Sequence, residues 1–384
     1  MPTSWPSIVK QESASLKINL DNLIRKNLSN IAFVTIDGED AKDFDDAVFC
    51  VEHNDGYDLY VAIADVSLYV KPESSIDKEA INRGTSIYFP NFVIPMLPEI
   101  LSNNLCSLRP NEDRPSLVVK INLDKDCYLK KYNFFSAIIH SHARLTYTEV
   151  ENNSFESPLS NAVIDSLKNL KSLAHKRIAI KEERGAVRIH SKEHLIKIND
   201  DGTSKSISFR KNTFANQMIE ECMLLANECA ADLLNNRYGY APFRIHEEPD
   251  KLKLETLKKI LGGNVQLQNP QDPASQINSI SKKISAKDQL KQSLILQTMK
   301  RAEYSTENVG HFGLQLDQYC HFTSPIRRYP DLLTHRMIKS CIEDDDDYSG
   351  NKKNDQELCE ISSKLEHRAE NASRKVNQIL IFDY

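Results

Sequence analysis

Cysteine pairs of the C-x-x-C kind are missing from this chain of 384 residues. Its eight cysteines, Cys50, Cys106, Cys127, Cys222, Cys229, Cys320, Cys341 and Cys359, stand apart, which excludes zinc-ribbon and thioredoxin-type sites and suits a reducing compartment. Long apolar runs are missing too. No stretch approaches the roughly 20 apolar residues a membrane span needs, and the opening MPTSWPSIVKQESAS has no signal-peptide core. The expected location is therefore the cytoplasm, with no membrane partner. Nor is there a basic excess: the formal net charge is −5, so a nucleic-acid site must be a local patch or channel. With 11 Gly and 15 Pro, and no repeat, the chain is neither fibrous nor low-complexity. What remains is 40% hydrophobic and 27% charged, the composition of a folded protein with a sizeable core.

Apolar spacing in residues 15–28 predicts a helix, followed by a buried strand, IAFVTI. AVFCVEH and YDLYVAIADV flank an Asn54-Asp55-Gly56 turn and predict a β-hairpin. Residues 78–120 read as irregular and proline-rich, and 116–140 as strand-rich. Helices are expected over 163–184, closed by Gly185, and over 212–235, where Phe214, Met218, Cys222, Leu225, Cys229 and Leu233 repeat at helical spacing. A turn-rich stretch at 262–275 precedes a helical region, 276–302. The acidic run Glu343 to Asp347 reads as a solvated loop, and 356–380 as a last helix.

Two constellations carry chemistry. Between the first strand and the hairpin stands TIDGEDAKDFDDAV, with six acids in the ten residues from Asp37 to Asp46. Two carboxylates about 4 Å apart repel by roughly 4 kcal/mol at an effective dielectric near 20. Such a cluster either spreads into water as a solvated turn or shares a hard divalent cation. In extended chain Asp43 and Asp45 project to one side and Asp46 to the other, so convergence with Asp37 requires a bend, which Gly38 can supply. A calcium loop of EF-hand type fails, because its glycine and terminal glutamate positions hold Val48 and Asn54.

The second constellation is GHFGLQLDQYCHFTSPIRRYPDLLTHR, residues 310–336. Ser324-Pro325 predicts a helix start, which places Arg327 and Arg328 in a first turn that disfavours cations. Such arginines serve either a phosphate at the helix start or acids elsewhere in the core. Pro330 then implies a kink. His311, His321 and His335 read as structural. Acid cluster and arginines together suit metal-assisted phosphoryl transfer.

These stretches, with FPNFVIPMLPEILSNNLCSLRPNEDRP, SHARLTYTEV, MIEECMLLAN and FRIHEEP, resemble in order the RNB catalytic domain of the ribonuclease II and ribonuclease R exoribonucleases, closer to the ribonuclease R type. The resemblance runs from about residue 31 to residue 376. It implies an α+β fold, with a twisted mixed or antiparallel sheet flanked by helices around a central RNA channel. It implies processive 3′-to-5′ hydrolysis of single-stranded RNA with a free 3′ end to nucleoside 5′-monophosphates, with Mg²⁺ as cofactor and Mn²⁺ as the other candidate. Asp37, Asp43, Asp45 and Asp46 match the metal-binding acids, Asp45 matching the most critical one. Arg327, with Arg328 beside it, matches the arginine at the scissile phosphate. Tyr88 matches a tyrosine stacking on a 3′-terminal base, and Tyr147 and Glu220 match ribose-recognising positions.

Ile189 stands where well-known members carry a second stacking phenylalanine, so one face of the base clamp is aliphatic. Residues 1–30 read as a lead segment and 31–384 as one catalytic domain. The flanking cold-shock and C-terminal OB-fold domains of the family are expected to be absent, and weak RNA capture with steep salt dependence is the expectation that follows. The alternative is an RNA-binding platform of the same fold without turnover.

Overall fold

A computed structural model describes every residue except 1, 21–22, 190–193, 200–202, 210, 263–270, 286–287, 343–347, 349 and 384. In chain order the elements are α1 (Ser7–Ser15), β1 (Lys26–Asn27), β2 (Phe33–Asp37), β3 (Asp46–His53), β4 (Gly56–Ala64), α2 (Ser75–Arg83), β5 (Ile87–Tyr88), β6 (Val93–Ile94), β7 (Asp113–Leu123), β8 (Leu129–Thr146), α3 (Tyr147–Asn152), α4 (Asn161–Glu183), β9 (His194–Ile198), β10 (Ser204–Phe209), α5 (Phe214–Tyr238), β11 (Phe243–Ile245), α6 (Lys251–Leu257), α7 (Pro273–Lys283), α8 (Gln289–Thr298), β12 (Glu303–Ser305), α9 (Tyr329–Ile342) and α10 (Lys352–Phe382). The α+β expectation holds.

The main sheet runs β1-β8-β2-β3-β4-β7, and β7 also pairs with β8. Strand β8 is 18 residues long. Its first part, Leu129 to His140, pairs antiparallel with β7, and Ser141 to Thr146 run parallel to β2. The pairing thus closes a ring, from β8 through β2, β3, β4 and β7 back to β8. The β3–β4 hairpin forms as its turn predicts, in register from Asp46↔Ile63 to His53↔Gly56. Gly56 has φ +146°, and a Cβ there would lie 1.9 Å from the Leu123 carbonyl oxygen, so no larger residue fits.

Side chains pack on both faces of the sheet, with polar positions such as Asp58, Lys120 and Asn122 at the end away from the acid loop. Leu59, Val61 and Ile63 of β4 pack with α4 and α5, while Ala62 and Ala64 face a second core with α2 and α9. Helices α6, α7 and α8 bury a smaller cluster of their own around Leu254, Ile277 and Ile295. The α5 stripe is core, although Phe214 and Leu233 at its ends are only half-buried. Helices α4 and α5 are followed by Gly185 and Gly239 at φ +84° and +74°. All eight cysteines are free thiols.

Several expectations need correction. The helix read over 15–28 is not there: α1 ends at Ser15, Leu16 is already extended, and Lys26–Asn27 joins the sheet edge. Leu16, Ile18 and Leu28 dock separately against the second core, so tertiary packing overrides their helical spacing. The region 276–302 is two helices, since α7 stops where Ile284 turns extended. The irregular stretch 78–120 holds the end of α2, the small β5–β6 hairpin and the start of β7. The acidic run Glu343 to Asp347, and most of the turn-rich stretch before α7, lie outside the described residues. Among the described residues no helix is long and apolar enough to cross a membrane.

Candidate active site

Asp37 ends β2 and Asp46 begins β3. These two strands share a single register pair, Val34↔Val48, so residues 38–45 bridge the gap between their ends. The loop is held down from three sides. Ser107 Oγ accepts from the Phe44 N–H at 3.0 Å and donates to the Lys42 carbonyl at 2.8 Å. The Leu108 N–H donates to the Phe44 carbonyl at 3.0 Å, and the Phe44 ring is buried. On the other side Arg144 donates to the carbonyls of Gly38, at 3.0 Å, and Glu39. This bracing folds the loop inward.

Asp45 is 6% exposed and its Oδ1 accepts the Ile326 N–H at 2.9 Å. Asp37, Asp43 and Asp46 are half-buried. Burial raises the pKa of Asp37, raises that of Asp45 well above the usual carboxylate range, and pushes Asp46 up to about 7. The acids act on one another as well: Asp43 raises Asp37 and Asp45, Asp46 raises Asp45, and Asp37 raises Asp46. Arg327 opposes the rise in all three. The four carboxylates therefore share one electrostatic neighbourhood and are not splayed into water.

Among the described residues no group of three or more His, Cys, Asp or Glu side chains is arranged to hold a metal ion as it stands. The chemistry of the donor set nevertheless fits a hard divalent cation, being all carboxylate oxygen under mutual repulsion, with no thiol or imidazole among its members.

The arginine segment corrects one expectation. Helix α9 begins at Tyr329, so Arg327 and Arg328 precede it, in a turn whose N–H groups both reach the Ser324 carbonyl, at 3.3 and 3.0 Å. Pro330 accordingly sits at the helix start, where no N–H is needed, and kinks nothing. Arg327 is 43% exposed, with Nε 3.8 Å from Asp45 Oδ2 and a donated bond to Ser324 Oγ at 3.0 Å. Arg328 points the other way. Its guanidinium pairs with Asp331 at 2.7 Å and its side chain is 16% exposed, so of the two arginines expected at RNA it is the one already engaged by an acid of its own segment.

The histidines are packing groups. His335 Nε2 meets the Phe322 carbonyl at 2.8 Å, His321 Nδ1 meets the Tyr304 hydroxyl at 2.7 Å, and His311 Nδ1 accepts the Leu314 N–H at 3.1 Å. Burial lowers the pKa of all three, His311 to about 3 and His335 to about 4.

Of the remaining candidates, Tyr88 stands at the acid loop, 44% exposed, its hydroxyl donating to Asp43 Oδ2 at 2.9 Å. Tyr147 follows Thr146, which lies opposite Asp37 in the β2–β8 register. Glu220 is paired with Lys181 at 2.6 Å on the α4–α5 face. Ile189 packs half-buried against the α6–α8 cluster. Sequence reasoning missed Ser107, Arg144 and Asp331. All three lie inside stretches that carried the resemblance, but nothing in their spacing tells which hydrogen bond each makes.

Comparison with known proteins agrees with this architecture. A family profile described as "RNB domain" matches residues 25–344. Ribonuclease R of Escherichia coli (strain K12) is 39% identical over 410 residues, covering all of this chain and 50% of that protein. The structure of Mycoplasma genitalium RNase R in complex with ribose-methylated single-stranded RNA superimposes with a TM-score of 0.94 at 33% identity, over all of this chain and 62% of that one. Yeast Ssd1, a pseudonuclease, shares the fold alone, with a TM-score of 0.73 at 21% identity over 92% of this chain and 45% of Ssd1. The chain spans about half the length of the curated relatives it matches. From the ringed sheet, the acid loop at its gap and the profile match over most of the residues, it follows that this chain belongs to the RNB domain family.

Proposed function

We propose that this chain is the catalytic domain of a processive 3′-to-5′ exoribonuclease, hydrolysing single-stranded RNA to nucleoside 5′-monophosphates in the cytoplasm. The observation that carries the reading is Asp45, buried and held by the Ile326 N–H, with Arg327 half-exposed beside it, Asp43 and Asp46 in its field, and Asp37 acting in turn on Asp46. Asp37, Asp43, Asp45 and Asp46 would hold Mg²⁺, or Mn²⁺ of the same ligation preference. When bound, the cation supplies charge neutralisation and an activated water.

The protein's own groups supply position. The Ile326 N–H fixes Asp45 Oδ1, leaving Oδ2 toward Arg327. Arg327, tethered to Ser324 Oγ, offers guanidinium donors to a phosphate, where charge grows during phosphodiester cleavage. Tyr88 offers a ring face to a terminal base, and Tyr147 and Glu220 offer hydrogen-bonding groups to ribose. Glu220 would exchange part of its pairing with Lys181 for that contact.

A labelled RNA with a single-stranded 3′ extension, incubated with Mg²⁺ and with EDTA, tests the proposal. Mononucleotide release with Mg²⁺ and none with EDTA is the expected result. RNA binding with no product under either condition would replace the nuclease by a binding platform.

A further inference from the structure

Tyr88 does more at this site than present a ring. Its hydroxyl donates to Asp43 Oδ2 at 2.9 Å. The ring itself is carried on a strand tied to the arginine turn. The Ser86 N–H donates to the Arg327 carbonyl at 2.9 Å, the Thr85 hydroxyl donates to the same carbonyl at 3.0 Å, and Thr85 bridges Arg328. From the far side the Ser373 hydroxyl of α10 donates to the Tyr88 carbonyl at 3.3 Å. The residue before Arg327 in the arginine turn, Ile326, fixes Asp45 through its N–H. Tyr88, Arg327 and Asp45 are thus joined through backbone, and the phenol closes the circuit onto Asp43.

Asp43 sits in the acid loop between the Lys42 and Phe44 backbone groups that Ser107 pins. The backbone of Asp43 is therefore fixed, while the carboxylate needs its own orienting contact. The phenol provides it on Oδ2, and among the described residues no hydrogen bond is made to Oδ1.

We propose that Tyr88 is a positioning residue for the cation site: its hydroxyl orients Asp43 as a ligand, so that the group that stacks on the RNA end also sets the metal affinity. The inference rests on the metal-dependent reading above and deepens it. Donors behind a metal ligand fix its rotamer, and losing one lowers metal affinity by about 10- to 100-fold. An RNA end seated on the Tyr88 ring would immobilise the phenol, so RNA and cation should bind with positive coupling, each tightening the other by the same factor.

The test separates the two ends of this side chain. Mn²⁺ binding is measured by electron paramagnetic resonance titration, without turnover, for the parent chain, Tyr88→Phe and Tyr88→Ala, and RNA affinity is measured in EDTA. For Tyr88→Phe a loss of Mn²⁺ affinity of about 10-fold or more is expected, with RNA affinity in EDTA held within about 2-fold because the ring remains. Tyr88→Ala should lose both. Unchanged or tighter Mn²⁺ binding by Tyr88→Phe, with the parent chain binding Mn²⁺, would overturn the positioning role and leave the nuclease reading standing. A parent chain that binds no Mn²⁺ would overturn both together.

Discussion

Replacing Asp331 by alanine strips the counter-charge from Arg328 inside the protein. The Asp331 side chain is fully buried and that of Arg328 is 16% exposed, with 2.7 Å between guanidinium and carboxylate. The same Asp331 Oδ1 accepts the Ser324 N–H at 2.8 Å. Breaking a buried pair by removing one member costs about 3–5 kcal/mol, and an orphaned buried N–H adds roughly 1–3 kcal/mol. Because both losses fall on one turn they will not add in full, so about 4 kcal/mol is expected for Asp331→Ala. The pair itself is imperfectly satisfied: Asp331 Oδ2 and Arg328 Nε have no hydrogen-bond partner among the described residues. Desolvation is therefore poorly repaid, and the joint exchange Arg328→Met with Asp331→Leu should recover the part of the loss due to the unpaired guanidinium, though not the part due to the Ser324 N–H. Urea unfolding at pH 7, followed by far-ultraviolet circular dichroism, measures all three variants. A loss below about 1 kcal/mol in Asp331→Ala, or a double variant no more stable than the single one, would refute the reasoning.

Asp45→Asn keeps an acceptor for the Ile326 N–H but removes a charge that burial disfavours, so it should raise the melting temperature while lowering single-turnover cleavage by about 10³-fold or more; a variant that cleaves like the parent contradicts Asp45 as the central acid. Burial holds His335 near a pKa of about 4, so the unfolded chain takes up the proton first, and stability falls as pH drops from about 6.5 toward 4, by roughly 3 kcal/mol in all. Unfolding curves between pH 7 and 4.5 should show that slope flattened in His335→Gln, and an identical acid slope in both proteins would assign it elsewhere. Gly56→Ala forces a Cβ onto the Leu123 carbonyl at positive φ and should cost at least about 2 kcal/mol by urea unfolding.

The parts of the fold that sequence made legible are those governed by short-range rules. The β3–β4 hairpin follows from its turn, α4 from the glycine that closes it, and α5 from its apolar spacing. The failures share a cause. Residues 15–28 have helical spacing, but Leu16, Ile18 and Leu28 each find a separate place on the second core, which no local pattern encodes. Arg327 and Arg328 were adjacent in sequence and read as a pair, yet one faces Asp45 and the other is consumed by Asp331, because the turn before α9 sends successive side chains in opposite directions. At the site, the crowding of Asp37, Asp43, Asp45 and Asp46 was visible as charge density. The bracing by Ser107 and Arg144, each far away in sequence, was not.

A ring of strands leaves few raw edges for a neighbouring molecule to add to, but this ring is fastened unequally. Between β4 and β7 the register runs unbroken from Tyr57↔Leu123 to Ala64↔Ser116, while between β2 and β3 it rests on Val34↔Val48 alone. Strand β2 is therefore clamped by β8 and only lightly buttoned to β3. Breathing at that seam can widen or narrow the mouth beneath Asp37 and Asp46 without unzipping anything else, so amide protons along it should exchange with solvent sooner than those of any other inner strand.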